Sequence, residues 1–206
     1  MKKVFANFFL MILLSQGFAQ GSSKITNNFG SPILTDSLST ILIPTVYDAR
    51  LFSSNKLALW GGYYSNIIFY DFNADTSKKL FSDDTYIVSL DKANYSHYDR
   101  KPAKNMTSQW ILYRVMNVDR NGNGRIDDND PAILYASDVR GRQLKPLTSS
   151  IENVVSVEIY EKQNIAMIKI QRDQNNDAEF TSKDTNYYYV KLDLGTLMFG
   201  KKIELN

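Results

Sequence analysis

The chain of 206 residues contains no cysteine and only one histidine. Without cysteine it forms no disulfide, no thiolate zinc site and no iron–sulfur cluster, and it has no cysteine nucleophile. A single histidine excludes a metal centre with several imidazole ligands. The 24 basic and 22 acidic residues leave a formal charge of +2, which is not the strongly basic footprint of a nucleic-acid-binding domain. The length fits one domain or a short repeat array.

Familiar catalytic signatures are also missing. The sequence has no Gly-x-Ser-x-Gly nucleophile elbow and no glycine-rich phosphate loop. His97 lies in a polar segment, where a solvated side chain is favoured over a general base. Acidic residues are plentiful, so a hydrolase that cleaves glycans with two carboxylates is an alternative, but the sequence does not place two of them across a cleft. A non-enzymatic role is therefore favoured.

The N-terminus has the residue order of a secretory signal peptide. Two lysines precede an apolar run over residues 4–14, and Gly17 and Ala19 provide small residues before Gln20. The run is shorter than the roughly 20 residues that a membrane-spanning helix needs. We therefore predict a signal peptide over residues 1–19, export to the periplasm or the extracellular space, and no stable membrane insertion after cleavage.

Short runs rich in β-branched and aromatic residues dominate the rest of the chain. Several alternate between apolar and polar positions, and none shows the 3.6-residue period of a capped helix. The sequence predicts an all-β fold, with residues 20–40 as an N-terminal extension or irregular edge element and residues 41–206 as a single β-repeat domain. The strand candidates are residues 41–48, 57–61, 66–72, 86–90, 110–118, 132–138, 154–160, 165–171 and 187–194.

These runs repeat along the chain. A strand, an Asp/Asn-rich loop, a second strand, a Gly-containing turn and a short closing strand occupy residues 110–148. The same order returns 54 residues later, and a shorter copy lies upstream. Each copy also has a strand before this order, which counts as its first. The third strand, which follows the loop, then ends near an aspartate, namely Asp71, Asp138 or Asp193. The pattern predicts about three four-stranded antiparallel units.

Residues 134–148, and more loosely residues 67–81, resemble the third and fourth strands of TolB-like and WD40-like β-propeller repeats. There a strand that ends in Asp meets a Gly-containing turn and a short strand that closes on Leu-Thr. The resemblance covers about residues 41–204 and implies propeller-like blades, although a closed propeller typically has four to eight of them. Another sheet before Thr40, an open array, or a β-sandwich with coincidental repeats are the three alternatives.

Residues 119–130, the first loop, have the spacing of an EF-hand-type calcium loop. Oxygen side chains occupy loop positions 1, 3, 5, 9 and 12, Gly124 stands at position 6, and the residue at position 7 offers its backbone carbonyl. A Ca²⁺ ion takes six to eight oxygens at about 2.3–2.6 Å, and alternate residues of a tight loop supply them. The predicted ligands are Asp119, Asn121, Asn123, Arg125, Asp127 and Asp130.

Residues 173–184, the second loop, are a second copy of this pattern. Oxygen side chains recur at positions 1, 3, 5 and 12, again with a backbone carbonyl at position 7. Ala178 replaces glycine at position 6, and a Cβ there resists positive φ, so we expect a weaker or differently bent site. The predicted ligands are Asp173, Asn175, Asp177, Glu179 and Asp184.

The residues that flank the loops indicate how they are mounted. An EF-hand needs a helix on each side, but a β-type run precedes the first loop and Pro131 follows it. Hairpin insertions between strands are therefore favoured, with a helical EF-hand or dockerin-like module and a metal-free Asn/Gly-rich turn as alternatives. We expect one or two Ca²⁺ ions in a structural role, in an exported module that binds an unidentified protein, a glycan or a second copy of itself.

Overall fold

The computed structural model describes residues 27–34, 39–47, 64–91 and 109–205. The predicted signal peptide, the strand candidate at 57–61 and His97 lie outside these residues. Within them there is no α-helix, only a short 3-10 helix at Glu161–Gln163, and no helix long and apolar enough to cross a membrane. The strands are β1 (Asn27–Phe29), β2 (Ile33–Leu34), β3 (Thr40–Tyr47), β4 (Tyr64–Asp71), β5 (Thr76–Lys79), β6 (Tyr86–Asp91), β7 (Trp110–Met116), β8 (Ile133–Asp138), β9 (Lys145–Pro146), β10 (Glu152–Tyr160), β11 (Ile165–Arg172), β12 (Tyr187–Asp193) and β13 (Phe199–Glu204).

The strands form two antiparallel sheets, which confirms the all-β prediction. The larger sheet has nine strands in the order β1-β3-β4-β6-β7-β8-β9, with β2 beside β3 and β5 beside β4. The smaller sheet has the order β10-β11-β12-β13. Among the described residues, the pairing of β4 with β6 consists of the residue pair Tyr64 and Ile87.

Three antiparallel meanders therefore follow one another along the chain. We call them the first meander (β1–β5), the second meander (β6–β9) and the third meander (β10–β13). The second and third each contain four strands paired in chain order, as the repeat predicts. The first and second share one sheet instead of standing apart, and neither sheet closes on itself among the described residues. β1 and β2, within the predicted extension, pair with β3.

The second meander is buried on both faces. Ile111, Tyr113 and Val115 of β7 are fully buried in a core shared with the first meander. Leu112 and Leu134 are fully buried in a different core, shared with the third meander. Each such side chain contributes about 1.5–3 kcal/mol through burial. A two-sheet sandwich has one core between its inner faces, whereas β7 here separates two.

An aspartate ends one strand in each meander, at the positions that the repeat singles out. These are Asp71 at the end of β4, Asp138 at the end of β8 and Asp193 at the end of β12. In all three turns Oδ1 accepts, at 2.9 Å, the N–H of the residue two positions later, that is, of Asn73, Arg140 and Gly195. A short acidic side chain stabilises a turn in this way, so the repeated aspartate has a structural role.

Both acidic loops connect the second and third strands of their meanders. The first loop joins β7 to β8, and the second loop joins β11 to β12. The prediction of hairpin insertions is confirmed. The helical EF-hand or dockerin-like alternative is wrong, because strands and not helices flank both loops.

Candidate metal centre

The last residue of each loop is a buried aspartate that closes the loop on itself. Asp130 is 1% exposed and accepts the N–H of Arg120 at 2.8 Å and that of Asp127 at 2.9 Å. Asp184 is fully buried and accepts, both at 3.0 Å, the N–H groups at the same loop positions, those of Gln174 and Thr181. The N–H of Thr181 is the main cause that holds the pKa of Asp184 below its usual 3.8. Neither carboxylate forms an ion pair with a described lysine or arginine.

The first residue of each loop is an aspartate that accepts the N–H at position 6. The distance is 2.8 Å between Asp119 Oδ2 and Gly124, and 3.1 Å between Asp173 Oδ2 and Ala178. The side chain of Asp173 is only 6% exposed, and its Oδ1 is buried without a hydrogen-bond partner among the described residues. A buried carboxylate oxygen without a partner is costly. A bound cation would satisfy this orphaned oxygen.

The side chains between the loop ends form successive short turns. In the first loop Asn121 Oδ1 accepts the N–H of Asn123, whose own Oδ1 accepts that of Arg125. At position 9, Asp127 Oδ1 accepts the N–H of Asn129 at position 11 in the same manner. The second loop repeats each of these bonds through Asn175, Asp177 and Thr181. Together with the bonds to the end carboxylates, the two loops share six hydrogen bonds position for position.

The backbones of the two loops also follow the same path. At position 4, φ is +70° for Gly122 and +59° for Asn176. At position 6, φ is +81° for Gly124 and +65° for Ala178. The different bend expected from Ala178 is therefore not found. Instead the alanine takes the glycine conformation, at a cost of roughly 1–2 kcal/mol from its Cβ.

An apolar residue at position 8 anchors each loop. Ile126 packs on the cluster that contains Met116 and Ala132. Phe180 is buried, and its N–H donates to the carbonyl oxygen of Asn129 at 2.8 Å. This backbone hydrogen bond joins the second loop directly to the first.

Side chains join the two loops as well. Arg120 Nη2 lies 3.4 Å from Asp173 Oδ2, and Asn121 Nδ2 donates to Glu179 Oε1 at 3.3 Å. Sequence reasoning missed these contacts. The one sequence signal for these contacts is that the two loops occupy equivalent positions in neighbouring repeats. Equivalent hairpins of packed meanders end near each other.

All eleven predicted ligands lie in the described part of the chain, but their carboxylates do not converge. No group of three or more Asp, Glu, His or Cys side chains there is arranged to hold a metal ion. The side chain of Glu179 turns toward Asn121, and that of Arg125 is exposed. Each loop still combines its two end carboxylates and one further aspartate, Asp127 or Asp177, with amide and carbonyl oxygens, which are the hard ligands that Ca²⁺ takes. The donor set fits calcium.

A groove beside β4 carries an excess of positive charge. Lys78, Arg140 and Arg142 line it and are exposed, and none of them forms an ion pair with a described residue. Its one carboxylate, Asp71, accepts turn N–H groups through Oδ1. The buried ring of Phe69 also contributes to the lining.

No protein-family model matches the chain, and no curated protein matches it. The function of the two loops and of the groove must therefore be inferred from their own chemistry.

Proposed function

We propose that the chain is an exported calcium-binding all-β protein that acts as a binding module, with calcium in a structural role. The observation that carries this proposal is the set of six hydrogen bonds that the two loops share position for position. Both loops hold the side-chain oxygens of equal positions on the same backbone path, with positive φ at positions 4 and 6, as a common ligand geometry requires. The orphaned Oδ1 of Asp173 gives further support.

The energetics favour a structural role for the ion. Carboxylates drawn together around an ion would repel one another, by roughly 4 kcal/mol for two charges about 4 Å apart at an effective dielectric constant of 20, and the bound dication would offset that repulsion. When free calcium exceeds the dissociation constant about a hundredfold, each site adds about 2.7 kcal/mol of stability. That is a large part of the roughly 5–15 kcal/mol typical of a folded domain. Because both loops end in Asp and not in the longer Glu, closure by two oxygens of position 12 is less assured, and we expect modest affinity.

Thermal unfolding in chelator and in calcium tests the proposal. Millimolar Ca²⁺ should raise the unfolding midpoint by about 5–10 °C for each filled site, and Mg²⁺ should raise it less. The double variant Asp130→Asn, Asp184→Asn removes one charge from each loop and should lose the calcium-dependent shift. An unfolding midpoint that is the same in chelator and in calcium would show that the proposal is wrong.

The proposal also treats the three meanders as propeller-like units in an open array. One observation supports it, namely the burial of β7 on both faces, because propeller blades pack face to face.

The partner of the module is best sought at the cationic groove. Three exposed cations without ion-pair partners favour an anionic ligand, and we propose an acidic glycan. A sulfated oligosaccharide should bind, and added salt should weaken that binding. The variant Arg140→Glu, Arg142→Glu should abolish binding, whereas Lys162→Glu, an exposed charge change outside the groove, should not. Equal binding of a neutral oligosaccharide would reject the groove and leave the calcium proposal intact.

The acidic hydrolase gains no support from the described residues. Glycoside hydrolysis uses two carboxylates across the scissile bond, and the groove holds only Asp71. The loop carboxylates accept backbone N–H groups instead of facing one another across a cleft.

A further inference from the structure

Arg120 contacts both loops at once. It is residue 2 of the first loop, and its backbone N–H donates to Asp130 Oδ1 at 2.8 Å. Its guanidinium reaches the second loop, where Nη2 lies 3.4 Å from Asp173 Oδ2. The side chain is only 25% exposed, and its guanidinium carbon lies 6.0 Å from the centre of the Phe180 ring. The positive charge is therefore held in place by packing.

Asp173 depends on this charge in the absence of metal. Its carboxylate is almost fully buried, and Arg120 is the one described cation within ion-pair distance of it. A buried carboxylate is costly unless a positive group or hydrogen-bond donors offset its charge. The guanidinium supplies that charge through Oδ2, while Oδ1 has no partner. In the first loop, no described lysine or arginine forms an ion pair with either end carboxylate.

We propose that Arg120 is an internal counter-ion for the second loop, which neutralises Asp173 when no metal is bound and lowers the affinity of that loop for calcium. This inference rests on the proposed function. An ion held at position 1 of the second loop would lie close to the guanidinium, and the two positive charges repel. The first loop therefore fills at lower calcium concentration than the second, and Arg120 sets much of the difference.

A purely structural arginine would behave differently from a counter-ion. Loss of a structural contact lowers stability and binding together. Loss of a counter-ion lowers the stability of the metal-free protein, because Asp173 is left unpaired, but it raises calcium affinity. The opposite signs separate the two roles.

Calorimetric titration of the chelator-treated chain with calcium chloride tests the proposal. The unmodified chain should show two steps of unequal affinity. Arg120→Gln and Arg120→Met, which keeps an apolar stem beside Phe180, should each tighten the weaker step by about tenfold or more. Arg120→Lys should keep the weak step. Lys183→Gln removes an exposed charge from the second loop and should change affinity by no more than a few-fold.

Thermal unfolding in chelator supplies the second readout. Both neutral variants should unfold at a lower temperature than the unmodified chain. If they fold only when calcium is added, calcium release from the folded variants decides: slower release than from the unmodified chain supports the counter-ion role, and equal or faster release overturns it. If they stay unfolded in calcium, or if they bind calcium no more tightly than the unmodified chain, Arg120 is structural and the inference is overturned. If the unmodified chain and every variant bind no calcium, the proposed function itself is wrong.

Discussion

Among single residues, the one at position 6 shows the clearest difference in sequence between the two loops. Gly124 and Ala178 adopt the same left-handed backbone conformation, which glycine takes without steric cost and alanine takes against the repulsion of its Cβ. Apart from Gly124 and its two chain neighbours, no atom of the described residues lies within 4 Å of the place where a Cβ on Gly124 would sit. A substitution there thus measures the backbone effect alone.

Exchanging the two residues should move stability in opposite directions. Gly124→Ala should lower the free energy of unfolding by about 1–2 kcal/mol, whereas Ala178→Gly should leave it unchanged or raise it by up to about 1 kcal/mol. Urea unfolding in chelator measures both values without a contribution from metal. A loss of stability in Ala178→Gly as large as that in Gly124→Ala would contradict the shared conformation.

Two buried tyrosines differ in the surroundings of their hydroxyl groups. The hydroxyl of Tyr113 lies 2.8 Å from Ser137 Oγ, whereas that of Tyr86 is buried with no hydrogen-bond partner among the described residues. Tyr113→Phe should therefore cost about 1 kcal/mol at pH 7, and Tyr86→Phe should cost little or nothing. Equal losses in chemical unfolding would show that the Tyr86 hydroxyl has a partner.

Tyr86 also predicts how the stability of the fold responds to alkaline pH. Burial raises the pKa of Tyr86 from 10.0 to about 12. A group whose pKa is higher in the folded state stabilises that state below pH 10, and this contribution is lost as the pH rises toward 12. Stability should fall over that interval, and less steeply in Tyr86→Phe. A pH profile unchanged by the substitution would contradict the assignment.

At the scale of the strand and the hairpin, the loops are the segments that calcium should stabilise. Arg125 in the first loop and Lys183 in the second are exposed, so trypsin can reach both. Metal that holds the loop ends together should suppress the local opening that cleavage requires. We expect calcium to slow cleavage at both sites at least several-fold.

The turn after β8 provides the control for this experiment. Arg140 is also exposed, but Asp138 stabilises its turn without any predicted metal ligand. Cleavage there should proceed at the same rate with calcium or chelator. Equal slowing at all three sites would indicate a general effect of calcium on the whole chain or on the protease, and it would remove the support for loop-specific binding.

The strands and loops were predictable because their signals are local. Alternating side chains mark strands such as β10, and fixed positions of oxygen side chains mark the loops. Strand pairing and loop contacts depend on packing between distant segments. The extent of a strand is an example, because β4 includes Tyr64 and Ser65, which precede the strand candidate at residues 66–72. The contact between Arg120 and Asp173 is another, because it requires the third meander to pack on the second.

Charge is unevenly distributed over the whole molecule. Removal of residues 1–19 takes away two lysines and leaves 22 basic and 22 acidic residues. Eight of these acidic residues lie in the two loops, which face each other across the contacts described above. Without metal the acidic charge is concentrated there, while the groove beside β4 carries exposed cations. In the proposed calcium-bound state, the ions would offset the charge of the loops and leave the groove positive.

Anomalous diffraction from crystals grown in millimolar calcium would locate bound calcium ions. We expect a calcium peak in each loop, with oxygens of positions 1, 3, 5, 7 and 12, and of Asp127 in the first loop, at about 2.3–2.6 Å from the ion. The peak in the second loop should be the weaker at limiting calcium, because Arg120 lies beside Asp173. Two well-ordered loops with no anomalous peak in either would show that neither loop binds calcium.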